Sequence, residues 1–415
     1  MAPASSVYVL PRAVTSNLSA PTPQNDLTIA LSSLTEEFAS RAAQHDREGS
    51  FAFENIARLH ELGLLAFAVP SASGGGLPET FGGGAATLQA AAQIVRAIGK
   101  GDPSTGLVLV MQYVHHIAID LDGHWPKALR EIVQRDAVDN GALINSLRVE
   151  PELGSPARGG LPQTVGRRTP KGWRISGRKL YSTGIPALTW LAVWGRTDED
   201  EPRVGAFLVH RQTPGIKVIE NWDHLGMRAS GSHEVVFDEV LVPFDHAINL
   251  QPPSVQRGLD PLQLIWMAVL LSALYDGVAH AARDWFVQFA KERVPSNLNA
   301  PLASLERFQE AVGRIDALLF NNAILLENFA GSVDEGHRPS GRDCNFIKYL
   351  ATGNVIAAVE QAVELSGNPG LSRANPLERH YRDILCSRIH TPQNDVILSS
   401  AGREAFAATP GSERA

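Results

Sequence analysis

Apolar positions alone divide the chain into three stretches. Leu27, Leu31, Leu34 and Phe38 recur at spacings of three and four, and Ile56, Leu59 and Leu62 repeat the pattern, which predicts amphipathic helices through residues 25–135. Further helices are expected over residues 85–98 and 105–119. From about residue 142 to 250 the pattern changes to short runs rich in Val, Ile, Phe and Trp, at 188–194, 204–209, 216–219 and 234–242, punctuated by Gly, Pro and Asp. These read as strands of a compact antiparallel sheet or barrel, with Trp173-Arg-Ile-Ser-Gly as the return strand of a hairpin after a Pro-Lys-Gly turn. After Pro261 the helical period returns to about Arg403, broken near 295–301, 336–341 and 367–376, so four long helices in a bundle are expected.

The expected fold class is therefore α+β. Its parts are a tail at 1–25, a helical domain at 26–138, a β domain at 139–250, a helical bundle at 251–405 and a second tail at 406–415. With 415 residues and 44% hydrophobic composition, each domain can bury a core. The apolar run at 262–274 is far short of the roughly 20 residues of a membrane span, so it predicts a buried helix and no membrane. The N-terminal 25 residues read as a frayed tail and not as a secretory signal. Net charge is −7, from 37 basic against 44 acidic residues, which argues against nucleic acid as a partner. Cys344 and Cys386 are too few for a disulfide framework and lack metal-ligand spacing, so reduced thiols in a cytoplasm and no metal are expected. The triple glycines at 74–76 and 82–84 fit no phosphate-loop pattern and read as structural loops.

One stretch carries chemistry. Residues 376–393 read PLERHYRDILCSRIHTPQ. This resembles the acyl-CoA dehydrogenase signature, in which PLER-YRD is followed by R-I-Y-E-G-T. Val149-Glu-Pro-Glu-Leu-Gly-Ser-Pro156 is similar to that family's TEPGAGSD, Gly177-Arg-Lys-Leu-Tyr-Ser-Thr183 to its G-K-W-I-T, and Leu225-Gly-Met-Arg-Ala-Ser230 with Val236-Phe-Asp-Glu-Val-Leu-Val-Pro243 to further segments. The order of helices, β domain and bundle matches too, over roughly residues 30–404.

The resemblance implies an acyl-CoA dehydrogenase-like fold with a flavin between β domain and bundle. By position, Tyr181 would take the tryptophan's place beside the ring and Thr183 would approach N5. Val149, Pro151 and Ser155 would line the pyrimidine edge and substrate entrance. Arg293 would meet a pyrophosphate, and the turn Gly367-Asn-Pro-Gly370 a neighbouring subunit's flavin. FAD is the expected cofactor. Glu364, where a Gln usually precedes the glycines, would repel a pyrophosphate, which keeps FMN, or reduced flavin supplied by a reductase, as the alternative. Read without the resemblance, Tyr181 and Trp173 fill the β core, Thr183 is a strand residue and Arg293 caps a helix. Arg228 is expected to tie the β domain to its surroundings, and the basic hairpin of Arg167, Arg168, Lys171, Arg174, Arg178 and Lys179 to be solvated or to meet a ligand phosphate.

The resemblance also exposes a departure. The family's catalytic Glu corresponds to Thr391, and an aliphatic hydroxyl is no base near neutral pH. The alternative base position of some relatives falls on Met267. Asp260, Asp276 and Glu364 are the nearest carboxylates, and His390, beside Thr391, is the remaining titratable candidate. His115 and His116 lie on the helix expected to border the substrate pocket, together with Met267. Three readings follow. The favoured one is an O2-using monooxygenase with a partner flavin reductase and a small-molecule substrate. The others are a dehydrogenase of an acyl-CoA with a displaced base, and a non-catalytic flavin-binding relative. Relatives form homotetramers or homodimers, and the same is expected here.

Overall fold

A computed structural model describes residues 23–153, 160–255 and 260–407. Ser155 and most of the two expected tails therefore lie outside the described residues. The helical stretch forms α1 (Pro23–Glu48), α2 (Phe53–Glu61), α3 (Leu88–Gly101), α4 (Pro103–Leu121) and α5 (Lys127–Asn140). Leu27, Leu31, Leu34 and Phe38 are all buried, as their spacing requires. Asp102 ends α3 and starts α4, its carboxylate accepting from the Ser104 and Thr105 amides. Both glycine triplets are loop, and a Cβ on Gly75 would collide with the Val69 carbonyl oxygen.

Eight strands follow: β1 (Leu143–Leu147), β2 (Val165–Thr169), β3 (Gly172–Lys179), β4 (Leu188–Thr197), β5 (Val204–His210), β6 (Ile216–Ile219), β7 (Glu234–Val242) and β8 (Ala247–Gln251). They form one sheet in the order β6-β7-β3-β2-β4-β5-β8, with β1 also pairing β4. The sheet is mixed, where the pattern led us to expect an antiparallel one: β1 and β2 both run parallel to β4. Alternation fixes which face a residue takes, not which strand lies beside it. The hairpin β2–β3 is in place. Its cations are not a free basic patch. Arg167 pairs with Glu239, Arg178 with Glu234, and Lys179 is fully buried against Glu150.

The bundle comprises α6 (Pro261–Glu292), α7 (Glu306–Asp334), α8 (Gly341–Ser366), the single turn α9 (Asn368–Leu371), α10 (Leu377–Leu385) and α11 (Asn394–Ala407). Three long helices are present, and the expected fourth is split into α10 and α11 around the turn that carries His390. Among the described residues α6 alone is long and apolar enough to cross a membrane, but 78% of its apolar window is buried in the core. It crosses α3 at backbone distance: a Cβ on Gly99 would lie 2.5 Å from the Leu274 carbonyl oxygen, and one on Gly277 would strike the Arg96 carbonyl. Leu264 adjoins Gly341, and Asn322 bridges Asp276 to the Ala351 carbonyl, so α6 and α8 run parallel.

The three parts of the chain meet at Asp46 on α1. Arg382 of α10 donates to both its carboxylate oxygens (2.9 and 2.6 Å), to Glu378 and to the Leu225 carbonyl. Arg228, from the loop after β6, donates to the Asp46 carbonyl at 2.7 Å, as expected of a residue that ties the β domain down. Asp383 accepts from the Met227 amide at 2.7 Å.

Candidate active site

The β-domain side of the site is built from the ends of β1 and β3. An isolated bridge joins Val149 to Leu180, the Leu180 amide donating to the Val149 carbonyl at 2.9 Å. Between Val149 and Pro151, Glu150 turns inward. It accepts from Lys179 Nζ (2.7 Å) and from the Gln163 and Thr164 amides (2.6 and 2.9 Å). Its pKa is lowered by these donors against the opposing effect of burial.

Next along the chain, Tyr181 adopts a left-handed backbone (φ 54) and is 53% exposed as a residue, its ring edge-on to Trp222 and His224, which stack on each other. A bulky residue in that conformation costs about 1–3 kcal/mol, a strain that collects at functional sites. Trp173, by contrast, is core, packed on Phe207. Ser182 Oγ is buried without a hydrogen-bond partner. Thr183 Oγ1 lies 3.0 Å from Ser232 Oγ, which is 2.8 Å from Ser230 Oγ, and the Thr183 carbonyl accepts from Asn145. An exposed aromatic wall, an unused buried hydroxyl and a short hydroxyl chain fit the needs of an isoalloxazine ring for an apolar face and hydrogen-bonding edges.

Helix α4 supplies the neighbouring wall. His115 Nε2 accepts from the Ser146 amide, so its proton sits on Nδ1, and burial pushes its pKa down to about 4. His116 is fully buried against Gln112, which also clamps β1 through the Ile144 amide. Burial lowers its pKa to about 3. The pocket expected for the pair is thus open to His115 at most; His116 belongs to the interior.

On the bundle side, His390 Nε2 is 2.6 Å from the hydroxyl of Tyr275, a fully buried residue of α6. Burial, with the nearby Lys348 charge, lowers the His390 pKa to about 4, while burial raises that of Tyr275 well above its ordinary value. The imidazole is therefore neutral, and its tautomer sets which of the two groups donates. Lys348 holds the turn from inside the bundle, Nζ donating to the carbonyls of His390 (3.1 Å) and Pro392 (3.0 Å). Thr391 is exposed, and Met267 is partly buried on α6. Of the carboxylates weighed as bases, Asp260 caps α6, Asp276 is fully buried beside Arg96 (3.0 Å), and Glu364 is exposed near the end of α8. Tyr275 and Lys348 were not legible in sequence: each is one of several polar residues on its helix, and nothing local marks it as a partner of His390.

Arg293 and Gly367 stand apart from this cluster. Arg293 is the exposed C-cap of α6, and 18 residues at about 1.5 Å rise separate it from Tyr275 by roughly 27 Å. Gly367, at φ 61, closes α8, and Gly370 is buried against Ser366. Because α6 and α8 are parallel, all three lie at the same end of the bundle, remote from Tyr275.

The order of helices, mixed sheet and bundle, with the exposed Tyr181 beside a hydroxyl chain at the end of β3, defines an acyl-CoA dehydrogenase-type flavoenzyme. The family's N-terminal, middle and C-terminal domain models match residues 30–123, 149–240 and 263–405. The chain belongs to the acyl-CoA dehydrogenase family and is a flavin-dependent oxidoreductase. It is 32% identical to the putative acyl-CoA dehydrogenase YdbM of Bacillus subtilis, covering 90% of this chain and 94% of that protein. It is 28% identical to L-evernosamine nitrososynthase of a Micromonospora species, covering 93% and 91%. Among solved structures, KijD3 in complex with FMN and dTDP-3-amino-2,3,6-trideoxy-4-keto-3-methyl-D-glucose superposes with a TM-score of 0.79 at 25% identity, over 95% of this chain and 96% of that one. The butyryl-CoA dehydrogenase of Megasphaera elsdenii (TM-score 0.81, 22% identity, 94% and 100% covered) shares the fold.

Proposed function

We propose that this chain is an oxygen-using flavin monooxygenase acting on a small organic substrate, with reduced flavin delivered by a separate reductase. One observation carries the reading. At the place where a thioester dehydrogenase needs a carboxylate, Thr391 is an exposed hydroxyl and His390 is a neutral imidazole bonded to Tyr275. Abstraction of an α proton requires a base poised near neutrality, and an imidazole with a pKa of about 4 is a poor one. Asp260, Asp276, Glu364 and Met267 do not replace it: the first two are committed to a helix cap and an ion pair, the third is remote, and a thioether takes no proton.

When bound, reduced flavin supplies the electrons that activate O2 for transfer of an oxygen atom. The protein's own groups then have limited tasks. Tyr181 would wall the ring; Val149 and Pro151 would border its polar edge, with Ser155 four residues further along the chain; the Thr183, Ser232 and Ser230 hydroxyls, linked to one another, would supply hydrogen bonds and hold a proton beside the ring. His390, kept neutral and held at Nε2 by Tyr275, would present Nδ1 toward substrate, while Thr391 offers a hydroxyl. His115 and Met267 flank the substrate. Arg293, Gly367 and Gly370, gathered at the far end of the bundle, would serve the phosphates of another protomer's cofactor, which makes a homodimer or homotetramer the working assembly. Arg293 suits FAD, whereas Glu364 disfavours a pyrophosphate, and the flavin released on denaturation discriminates FAD from FMN. The similarity to a nitrososynthase supports oxygen transfer, since a nitroso group carries an oxygen atom on nitrogen. The two free cysteines agree with a cytoplasmic setting. Dehydrogenation of an acyl-CoA remains the second reading, favoured by the similarity to YdbM.

The test is the visible spectrum of flavin-loaded protein held anaerobic while short, medium, branched and aromatic acyl-CoAs are added. No bleaching is expected, and bleaching by any thioester would overturn the proposal. In the presence of O2 and reduced flavin, His390→Ala is expected to lose product formation with flavin affinity intact; unchanged turnover would remove His390 from the mechanism.

A further inference from the structure

Several buried or half-buried charges among the described residues have a charged partner. Lys179 has Glu150, Asp276 has Arg96, and Arg382 has Asp46 and Glu378. Arg148 does not. It follows β1 and immediately precedes Val149. Its guanidinium carbon stands over the Trp194 ring, 4.5 Å from its centre, a cation–π contact that helps position the fork. No carboxylate among the described residues pairs with it, and burial lowers its pKa with no anion to offset the effect. Its charge reaches the neighbouring groups, helping to hold both His115 and Lys179 below their ordinary values. Lys179 is already matched by Glu150, so the net local charge remains positive.

A cation partly withdrawn from water and left unmatched carries a desolvation cost, and a bound anion relieves it. A guanidinium braced on an indole is also preorganised for two-pronged contact with a carboxylate or phosphate. We infer that Arg148 is the receptor for an acidic group on the substrate, so that the enzyme takes anionic small molecules, carboxylates or phosphate esters. This deepens the preceding reading and rests on its placement of the substrate in the cleft beside residues 149–151. It does not depend on whether the reaction is oxygenation or dehydrogenation.

The experiment reads binding directly and needs no turnover. Flavin-loaded wild type, Arg148→Met and Arg148→Lys are titrated calorimetrically with inorganic phosphate and, separately, with acetate. Wild type is expected to bind at least one of them at one site per chain, weakened at least tenfold in Arg148→Met and less in Arg148→Lys. The preferred anion distinguishes a phosphate from a carboxylate substrate. In parallel, the His115 pKa, followed by NMR, is expected to rise in Arg148→Met, and flavin affinity to stay within twofold of wild type. Equal anion binding by wild type and Arg148→Met, including none by either, would overturn the inference. So would a collapse of flavin affinity in Arg148→Met, since the guanidinium would then serve the cofactor. Bleaching of the flavin by a thioester in the earlier test, with anion binding at Arg148 intact, would refute the monooxygenase reading alone.

Discussion

Replacing Lys179 by Met tests how the cofactor edge of the β domain is held. The ammonium and the Glu150 carboxylate are 2.7 Å apart, with side chains 0% and 1% exposed. Methionine preserves most of the aliphatic stem and deletes only the charge. Glu150 keeps the Gln163 and Thr164 amides but loses its counterion, and an orphaned buried charge costs about 3–5 kcal/mol. With unfolding entropy near 2.1 cal/mol/K per residue, 415 residues give about 0.9 kcal/mol/K, so a loss of about 4 kcal/mol lowers the melting temperature by about 4–5 °C. The assay is thermal unfolding followed by far-UV circular dichroism at fixed flavin concentration, since bound flavin itself raises stability. The double variant Lys179→Met/Glu150→Gln, which removes the orphaned charge, is expected to recover more than half of the loss. A single variant costing under about 1 kcal/mol, or a double variant no more stable than the single, would refute the account of Glu150 as an ionised, matched group.

Four histidines predict a stability slope in acid. The pKa values of His115 and His390 fall to about 4 and those of His116 and His380 to about 3, so below the ordinary value near 6.5 the unfolded chain binds protons that the folded one refuses. Stability is therefore present above pH 6.5 and lost as pH falls toward 4, by up to about 1.4 kcal/mol per pH unit for each histidine. Unfolding at pH 6.5, 5.5 and 4.5 measures it, and a flat profile would contradict neutral burial. Gly277→Ala should destabilise by about 1–3 kcal/mol through collision with α3, whereas Gly353→Ala, with nothing near its added carbon, should be neutral or gain up to about 1 kcal/mol; equal denaturation midpoints would contradict the close crossing. Lys348→Met removes the cation near His390 and the clamp on its turn, so the His390 pKa should rise in an NMR titration and flavin-dependent turnover should fall; an unmoved pKa would remove Lys348 from the site's electrostatics.

Much of the fold was legible because burial imposes a period. The strands Ile216–Ile219 and Glu234–Val242 fall where their alternating residues placed them, and the apolar run at 262–274 is the buried half of α6. Two strands, β1 and β8, gave no warning, since Leu143–Leu147 and Ala247–Gln251 are short and weakly alternating. The parallel pairings of β1 and β2 with β4 could not be read, because period does not encode strand order. At the site, ordered motifs led to Tyr181, Thr183 and His390, whereas Tyr275, Lys348 and Arg148 matter through partners distant in sequence. Lys179 was misleading for the same reason: among the cations of its hairpin nothing marked it for the interior, and its partner lies 29 positions upstream.

The convergence at Asp46 has a mechanical meaning. With α1, the loop after β6 and α10 pinned to one another through Arg382, Arg228 and Asp383, the three parts of the chain form a braced triangle and not hinged jaws. Relative motion of sheet and bundle at this corner would have to break charged hydrogen bonds, so the bracing favours a substrate site whose shape is set before a molecule arrives.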